Sequence, residues 1–135
     1  MVQIDITYQG GLRCEAVHGP SGTKLVTDAP VDNHGKGESF SPTDLVATAL
    51  GACIPTIMGI VAEREQIDLR GMRITVLKEM SAELPRRIAK LTTRIVMPAG
   101  LTEQQKVKLE KVAYTCPVHQ TLHHNVEMPV EFVYP

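Results

Sequence analysis

The chain has 135 residues, and its 14 Lys and Arg against 15 Asp and Glu leave a formal net charge of −1. That balance gives no sign of a nucleic-acid or acidic-membrane partner, and an aromatic content of 4% without Trp argues against a stacking surface for bases or sugars. The length corresponds to one domain, 1–135, with a single core.

The N-terminal segment predicts three short strands. Val2, Ile4 and Ile6 alternate with polar residues, which is the period of a strand. Turn signals at 9–11 and 19–22 separate this strand from the next two. The predicted second and third strands are 12–17 and 24–27, and the Asp-, Pro-, Asn- and Gly-rich residues 28–40 form a loop.

A long helix follows, from an N-cap at Ser41 to about Glu65. Pro42 suits its first turn, and Asp44 occupies the position of a capping-box partner. Residues 45–62 carry no charge, but their Ala, Gly, Thr and Pro content favours a buried core helix over a membrane span. Pro55 should kink this helix or break its hydrogen-bond ladder.

The second half of the chain predicts two strands, two helices and a last strand. A capping box formed by Thr102 and Gln105 marks the first of these helices. The predicted ranges are 72–80 and 88–97 for the strands, 103–114 and 117–123 for the helices, and 130–134 for the last strand. This order indicates an α+β fold with antiparallel strands and a segregated buried helix.

The chain has three cysteines, and an odd number in a chain of this size is not typical of a disulfide framework. The N-terminus lacks the pattern of a signal peptide, so we expect a cytoplasmic protein with reduced thiols. Cys53 lies in the apolar helix, where Gly51 and the missing N–H of Pro55 suit a reactive thiol, although a buried core residue is the simpler interpretation. Cys14 is predicted to be a buried strand residue.

Cys116 sits at the start of the helix that Pro117 opens. A helix N-terminus stabilises a thiolate, so the pKa of Cys116 is predicted to be lowered. With His119 and His123 it could instead supply zinc ligands, and His124 is available as a fourth. The simpler interpretation is an amphipathic helix with solvated imidazoles.

Residues 41–53, SPTDLVATALGAC, followed 63 positions later by Cys116-Pro117-Val118-His119, resemble the OsmC/Ohr superfamily of osmotically induced and organic hydroperoxide resistance proteins. The resemblance covers nearly the whole chain. It implies an OsmC-like fold, with antiparallel sheets around a long buried central helix, in an intertwined homodimer with active sites at the interface. It also implies a peroxidase that uses cysteines and no metal or other cofactor.

By the same resemblance, Cys53 is the peroxidatic cysteine and Cys116 the resolving one, and Arg13 matches the family's Arg. Nothing local to Arg13 distinguishes this role from a solvated strand charge. The family's usual Asn-Pro-Glu places a Glu ten residues before the reactive Cys, where this chain has Thr43. Asp44 could cap the helix and leave Arg13 without a partner, or Glu38 could substitute.

The sequence therefore predicts a cytoplasmic thiol peroxidase that reduces organic hydroperoxides and is recycled by an external dithiol, without nucleic-acid or membrane partners. Two alternatives remain open. One is a catalytically weak OsmC-like protein that binds a small hydrophobic ligand. The other is a zinc-binding module built on Cys116, His119 and His123.

Overall fold

The computed structural model describes residues 1–135, and they form two compact units, Met1–Val46 and Ala47–Pro135. All the predicted helices and strands are present, within a few residues of the expected bounds. In chain order they are β1 (Ile4–Gly10), β2 (Arg13–His18), β3 (Lys24–Asp28), a 3₁₀ turn (Val31–Asn33), α1 (Pro42–Arg64), β4 (Arg73–Met80), β5 (Ile88–Val96), α2 (Glu103–Ala113), α3 (Pro117–Leu122) and β6 (Val130–Val133). The α+β fold class is thereby confirmed.

The first unit contains an antiparallel sheet in the order β1-β2-β3. Ile6 faces Ala16 across the first pair, and Cys14 faces Thr27 across the second. Because side chains alternate along a strand, Ile4, Ile6 and Tyr8 share one face. That face is largely exposed, with Ile6 at 62%. The sheet therefore presents apolar side chains that this chain does not cover.

The loop after β3 is tightly folded around a glycine. A Cβ at Gly35 would lie 1.7 Å from the carbonyl oxygen of Ala29, so no other residue fits without moving the backbone. The amide of Gly35 donates to the carbonyl of Pro30 at 2.9 Å, and the amide of Asp28 donates to the carbonyl of Phe40 at 3.0 Å. These bonds fix both ends of the loop.

The start of α1 is the capping box that the sequence predicts. The amide of Asp44 donates to Oγ of Ser41 at 3.1 Å, and the amide of Ser41 donates to Oδ2 of Asp44 at 2.9 Å. Pro55 does not break the helix, which is continuous from Pro42 to Arg64. One missing N–H in a 23-residue helix leaves the rest of the hydrogen-bond ladder in place.

Burial of α1 is confined to one stripe. Its buried residues recur every three or four positions, which is one face of a helix: Ala47, Leu50, Ile54, Met58 and Ala62. The opposite side is apolar but open, with Ile60 45% exposed. The sequence predicts burial nearly all round, whereas within one chain only this stripe is covered.

By length and composition alone, α1 could also cross a membrane, since its most apolar 18-residue window has a mean hydropathy of 2.1. The core helices of globular proteins meet the same criterion. The buried stripe on α1 shows that one face of the helix packs against its own chain.

Gly51 allows α1 to approach β4 closely. A Cβ on Gly51 would lie 2.9 Å from Cγ2 of Val76 and 3.8 Å from Cγ2 of Ile74. The sequence suggests that this glycine clears space around the sulfur of Cys53. The structure shows instead that the missing side chain makes room for β4.

The second unit contains a sheet in the order β4-β5-β6. β4 and β5 are antiparallel, as predicted. β6 is parallel to β5, with Thr93 beside Val130 and Val96 beside Val133, so the antiparallel prediction is wrong for this strand. The physical reason is the connection: α2 and α3 lie between the two strands, and a long helical crossover returns the chain in the same direction.

Candidate active site

The structure brings together the two cysteines singled out by the sequence. Cys53 lies in the middle of α1, one position from the buried Ile54, and is partly exposed. Cys116 lies at the N-terminus of α3 and is fully buried, at 0% exposure. Their side chains are hydrogen-bonded to each other, and both thiols are free. The result is a dithiol with one accessible and one enclosed sulfur.

Cys116 is the N-cap of α3, as predicted from Pro117 at the first helical position. The backbone amide of His119 donates to Sγ of Cys116 at 3.4 Å. The carbonyl of Cys116 accepts the next helical bond, from the amide of Gln120 at 3.0 Å. These bonds fix the sulfur at the helix N-terminus.

The prediction of a lowered pKa for Cys116 is wrong, because burial raises it to about 11. The hydrogen bond with Cys53 and the negative charge of Cys53 raise it further, while the backbone amides of His119 and Val118 act in the opposite direction. Burial destabilises the thiolate by more free energy than the amides at the helix N-terminus contribute to stabilising it. Cys116 therefore stays protonated at neutral pH.

The histidines near Cys116 pack against neighbouring aromatic rings. The ring of His119 meets Tyr114 edge-on, at a centroid distance of 5.6 Å and an angle of 87°. It also lies parallel to the ring of His123, 6.2 Å away, and burial lowers the pKa of His119. Nδ1 of His123 is 2.9 Å from the carbonyl of Gln120.

This arrangement offers no zinc site. No three His, Cys, Asp or Glu side chains in residues 1–135 are grouped so that they could hold a metal ion. A tetrahedral zinc ion needs its ligand atoms to converge on one point about 2 Å from each. The zinc-module alternative is accordingly without a ligand set.

Arg13 has two carboxylate partners in the first unit. Its Nη2 lies 2.7 Å from Oε2 of Glu38 and 3.4 Å from Oδ2 of Asp28. The hydrogen bond to Glu38 is the main cause that raises the pKa of Arg13. Asp44 caps the helix, yet Arg13 is not left without a partner, because the loop residue Glu38 pairs with it.

Thr43 and Asp44 serve the start of α1. Asp44 completes the capping box with Ser41. Oγ1 of Thr43 lies 3.2 Å from Oγ of Ser41. Sequence position alone made these residues candidates, because they stand next to the place where the family carries its Glu.

Asp28 was missed by the sequence analysis, and Cys14 is less buried than predicted. Asp28 faces Arg13 directly across the β2–β3 pair. Aligning β2 with β3 across the turn from Gly19 to Gly22 would have placed Asp28 opposite Arg13. Cys14 lies between Tyr8 and Thr27 and is partly exposed, because the sheet face that carries it is not covered.

The protein has an α+β fold, and its candidate site contains two free cysteines that are hydrogen-bonded to each other. Residues 35–131 match the family model for OsmC-like proteins, so the chain belongs to the OsmC-like family. The resemblance drawn from the two cysteine motifs is thereby confirmed.

Solved structures agree with this assignment. A protein from Psychrobacter arcticus, assigned to an osmotic stress induced and detoxification response, is 42% identical, with a TM-score of 0.91 over 98% of this chain and 96% of that one. An organic hydroperoxide resistance protein from Legionella pneumophila is 18% identical (TM-score 0.79; 98% and 96% covered). One from Elizabethkingia anophelis is 16% identical (TM-score 0.80; 100% and 96% covered). The last two show the fold alone. No curated protein matches the chain.

Proposed function

We propose that this protein is a thiol-dependent peroxidase that reduces organic hydroperoxides, with Cys53 as the peroxidatic and Cys116 as the resolving cysteine. The observation that carries the proposal is the hydrogen bond between a partly exposed Cys53 and a fully buried, protonated Cys116. Family membership supports it, since solved members of the fold are named organic hydroperoxide resistance proteins.

In the first step, the Cys53 thiolate attacks the distal oxygen of the hydroperoxide. The S–O bond forms as the O–O bond breaks, leaving a sulfenic acid on Cys53 and an alkoxide that takes up a proton to become the alcohol. The Cys116 thiol acts as a hydrogen-bond donor to the thiolate before it reacts. Because Cys116 is enclosed, the peroxide reaches Cys53 first.

In the second step, Cys116 attacks the sulfenic sulfur. The disulfide forms, and hydroxide leaves with the Cys116 proton as water. The negative charge on Cys53 that helps to raise the pKa of Cys116 is lost when Cys53 becomes a neutral sulfenic acid. Cys116 is therefore easier to deprotonate after the first step than before it.

In the third step, an external dithiol reduces the disulfide. Its thiolate forms a mixed disulfide with one cysteine, and its second thiol displaces that cysteine. Both cysteines return to the reduced state, and the dithiol becomes a disulfide. This cycle requires a reducing compartment, for which we propose the cytoplasm.

Arg13 is proposed to assist the first step as a cation that stabilises the thiolate and the developing alkoxide. Glu38 orients the guanidinium, since it accepts its shortest hydrogen bond at 2.7 Å. A charge-assisted pair of this kind holds a long side chain in one geometry.

The protein is also proposed to act as a homodimer. Two apolar surfaces stay open in one chain: the side of α1 that carries Ile60 and the sheet face that carries Ile6. A second copy would bury both surfaces, each buried large apolar side chain contributing about 1.5–3 kcal/mol. Light scattering during size-exclusion chromatography tests this, and Ile6→Lys should shift the particle towards the monomer mass.

The proposed activity is tested by following the consumption of cumene hydroperoxide with dithiothreitol as the reductant. Cys53→Ser should abolish consumption, and Cys116→Ser should leave a sulfenic acid on Cys53 that a dimedone probe captures. Cys14→Ser is the matched control and should keep the wild-type rate. Intact turnover in Cys53→Ser would rule the proposal out. Slow turnover in the wild type together with a co-purified apolar ligand would favour the binding-protein alternative.

A further inference from the structure

Asp28 is a buried carboxylate that touches both members of the Arg13–Glu38 pair. It is 0% exposed. Its Oδ2 accepts the backbone amide of Glu38 at 3.0 Å and lies 3.4 Å from Nη2 of Arg13. One oxygen thus bonds the guanidinium on strand β2 and the backbone of the loop residue that pairs with it.

The second oxygen of Asp28 makes this arrangement costly. Oδ1 is buried and has no hydrogen-bond partner. A buried oxygen without a donor is destabilising, so a carboxylate at this position is poorly explained by stability alone. The backbone hydrogen bond from Glu38 is the main cause that lowers the pKa of Asp28, followed by the contact with Arg13.

The loop between Asp28 and Glu38 is folded by its own backbone contacts up to Gly37, and Asp28 holds the residue that follows. Gly35 lies against Ala29, and the amide of Gly37 donates to the carbonyl of Ala29 at 3.2 Å. The next residue is Glu38, whose amide bonds Asp28. The side chain of Glu38 is 58% exposed, so packing does not hold it at Arg13.

We propose that Asp28 is a positioning residue, which holds the backbone of Glu38 so that its carboxylate stays on Arg13. Asp28 would act on the reaction only through Glu38 and Arg13. The Arg13–Glu38 pair alone is an exposed ion pair, and such pairs are weakly stabilised by themselves. The buried bond between Asp28 and the amide of Glu38 supplies the order that the exposed pair lacks. The effect on Cys53 rests on the proposed peroxidase function, whereas the anchoring of the loop does not.

The first measurement is hydrogen exchange of the Glu38 amide, followed by NMR. In Asp28→Asn the acceptor loses its charge, and exchange at Glu38 should become about tenfold faster or more. In Glu38→Gln the backbone bond to Asp28 remains, so exchange at position 38 should stay within about twofold of wild type. Unchanged exchange in Asp28→Asn would overturn the inference without any reference to peroxide.

The second measurement is the rate at which cumene hydroperoxide oxidises Cys53. If Asp28 acts through Glu38, Asp28→Asn and Glu38→Gln should each slow oxidation about tenfold, and the double variant should be no slower than Glu38→Gln alone. Additive losses would overturn the inference. Glu15→Gln neutralises a carboxylate on β2 that pairs with Lys24 and not with Arg13; it is the control and should leave the rate unchanged.

Gly35→Ala provides a variant that leaves all three charged side chains in place. Its Cβ would collide with the carbonyl of Ala29, so the loop must shift. We expect faster exchange at Glu38 and a rate of Cys53 oxidation close to that of Glu38→Gln. A wild-type rate with a displaced loop would overturn the inference. Peroxide consumption in Cys53→Ser would instead contradict the proposed function, and the exchange data would still decide whether Asp28 anchors Glu38.

Discussion

Cys116 is hydrogen-bonded to Cys53, and burial together with this bond raises the pKa of Cys116 to about 11. The two sulfurs differ in access, although both belong to free thiols of the same unit. Cys53 is partly exposed, and Cys116 is enclosed. This asymmetry supports the proposal that Cys53 is the nucleophile and Cys116 the resolving cysteine.

The asymmetry predicts selective alkylation. With limiting iodoacetamide at pH 7.5, Cys53 should be modified at least about tenfold faster than Cys116, because the thiolate is the nucleophile and the enclosed thiol is protonated. Peptide mapping by mass spectrometry measures both rates in one sample. Equal labelling of the two cysteines in folded protein would contradict the assignment.

The raised pKa of Cys116 also predicts a dependence of stability on pH. The folded state holds the thiol proton more tightly than the unfolded state, so this stabilisation is fully present below about pH 9 and is lost as the pH rises towards 11. The loss should be on the order of 1–2 kcal/mol.

Urea unfolding of the reduced protein at a series of pH values measures this loss. Cys116→Ser is the control, since the partly buried Tyr134, whose pKa is also raised, titrates equally in both proteins. The difference in unfolding free energy between wild type and variant should shrink between pH 9 and 11. A constant difference would show that the folded and unfolded thiols titrate alike.

Because Gly51 lies against β4, Gly51→Ala should lower the stability of the wild type but raise the stability of the Val76→Ala variant. Gly51→Ala should destabilise the protein by about 1 kcal/mol, because overpacking against the stiff Val76 costs about 1–3 kcal/mol and removing a helical glycine returns about 0.5–1 kcal/mol. In a Val76→Ala background the clash is absent, and Gly51→Ala should stabilise by about 0.5–1 kcal/mol. Thermal or urea unfolding of the four proteins decides. Destabilisation of equal size in both backgrounds would show that Gly51 serves another purpose.

The packing of the histidines predicts weak zinc binding. Protein purified without chelator should carry less than about a tenth of an equivalent of zinc, because the rings of His119 and His123 lie parallel and do not converge with Cys116 on one point. Plasma emission spectrometry measures the metal content. One full equivalent that disappears in His123→Ala would reinstate a zinc site.

Much of the fold follows from local patterns in the sequence. The alternation in β1, the capping box of Ser41 and Asp44, and that of Thr102 and Gln105 each fix an element through contacts a few residues apart. The pairing of Cys53 with Cys116 did not follow from local patterns. It came from a family resemblance, because the order and the separation of two short motifs carry information that periodicity does not.

The features that the sequence could not give depend on the surroundings of a residue in space. The direction of β6 depends on how α2 and α3 return the chain. The pKa of Cys116 depends on burial by residues remote in sequence, which outweighs the helix N-terminus. The partner of Arg13 depends on a loop whose end is held by Asp28, and no motif marks that contact.

The most direct test of the account is mass spectrometry of the reduced protein after one equivalent of cumene hydroperoxide or of hydrogen peroxide. A Cys53–Cys116 disulfide should form much faster with the organic peroxide than with hydrogen peroxide, and no disulfide should form in Cys53→Ser. Oxidation that leaves Cys53 reduced, or that links Cys14 in place of Cys116, would contradict it.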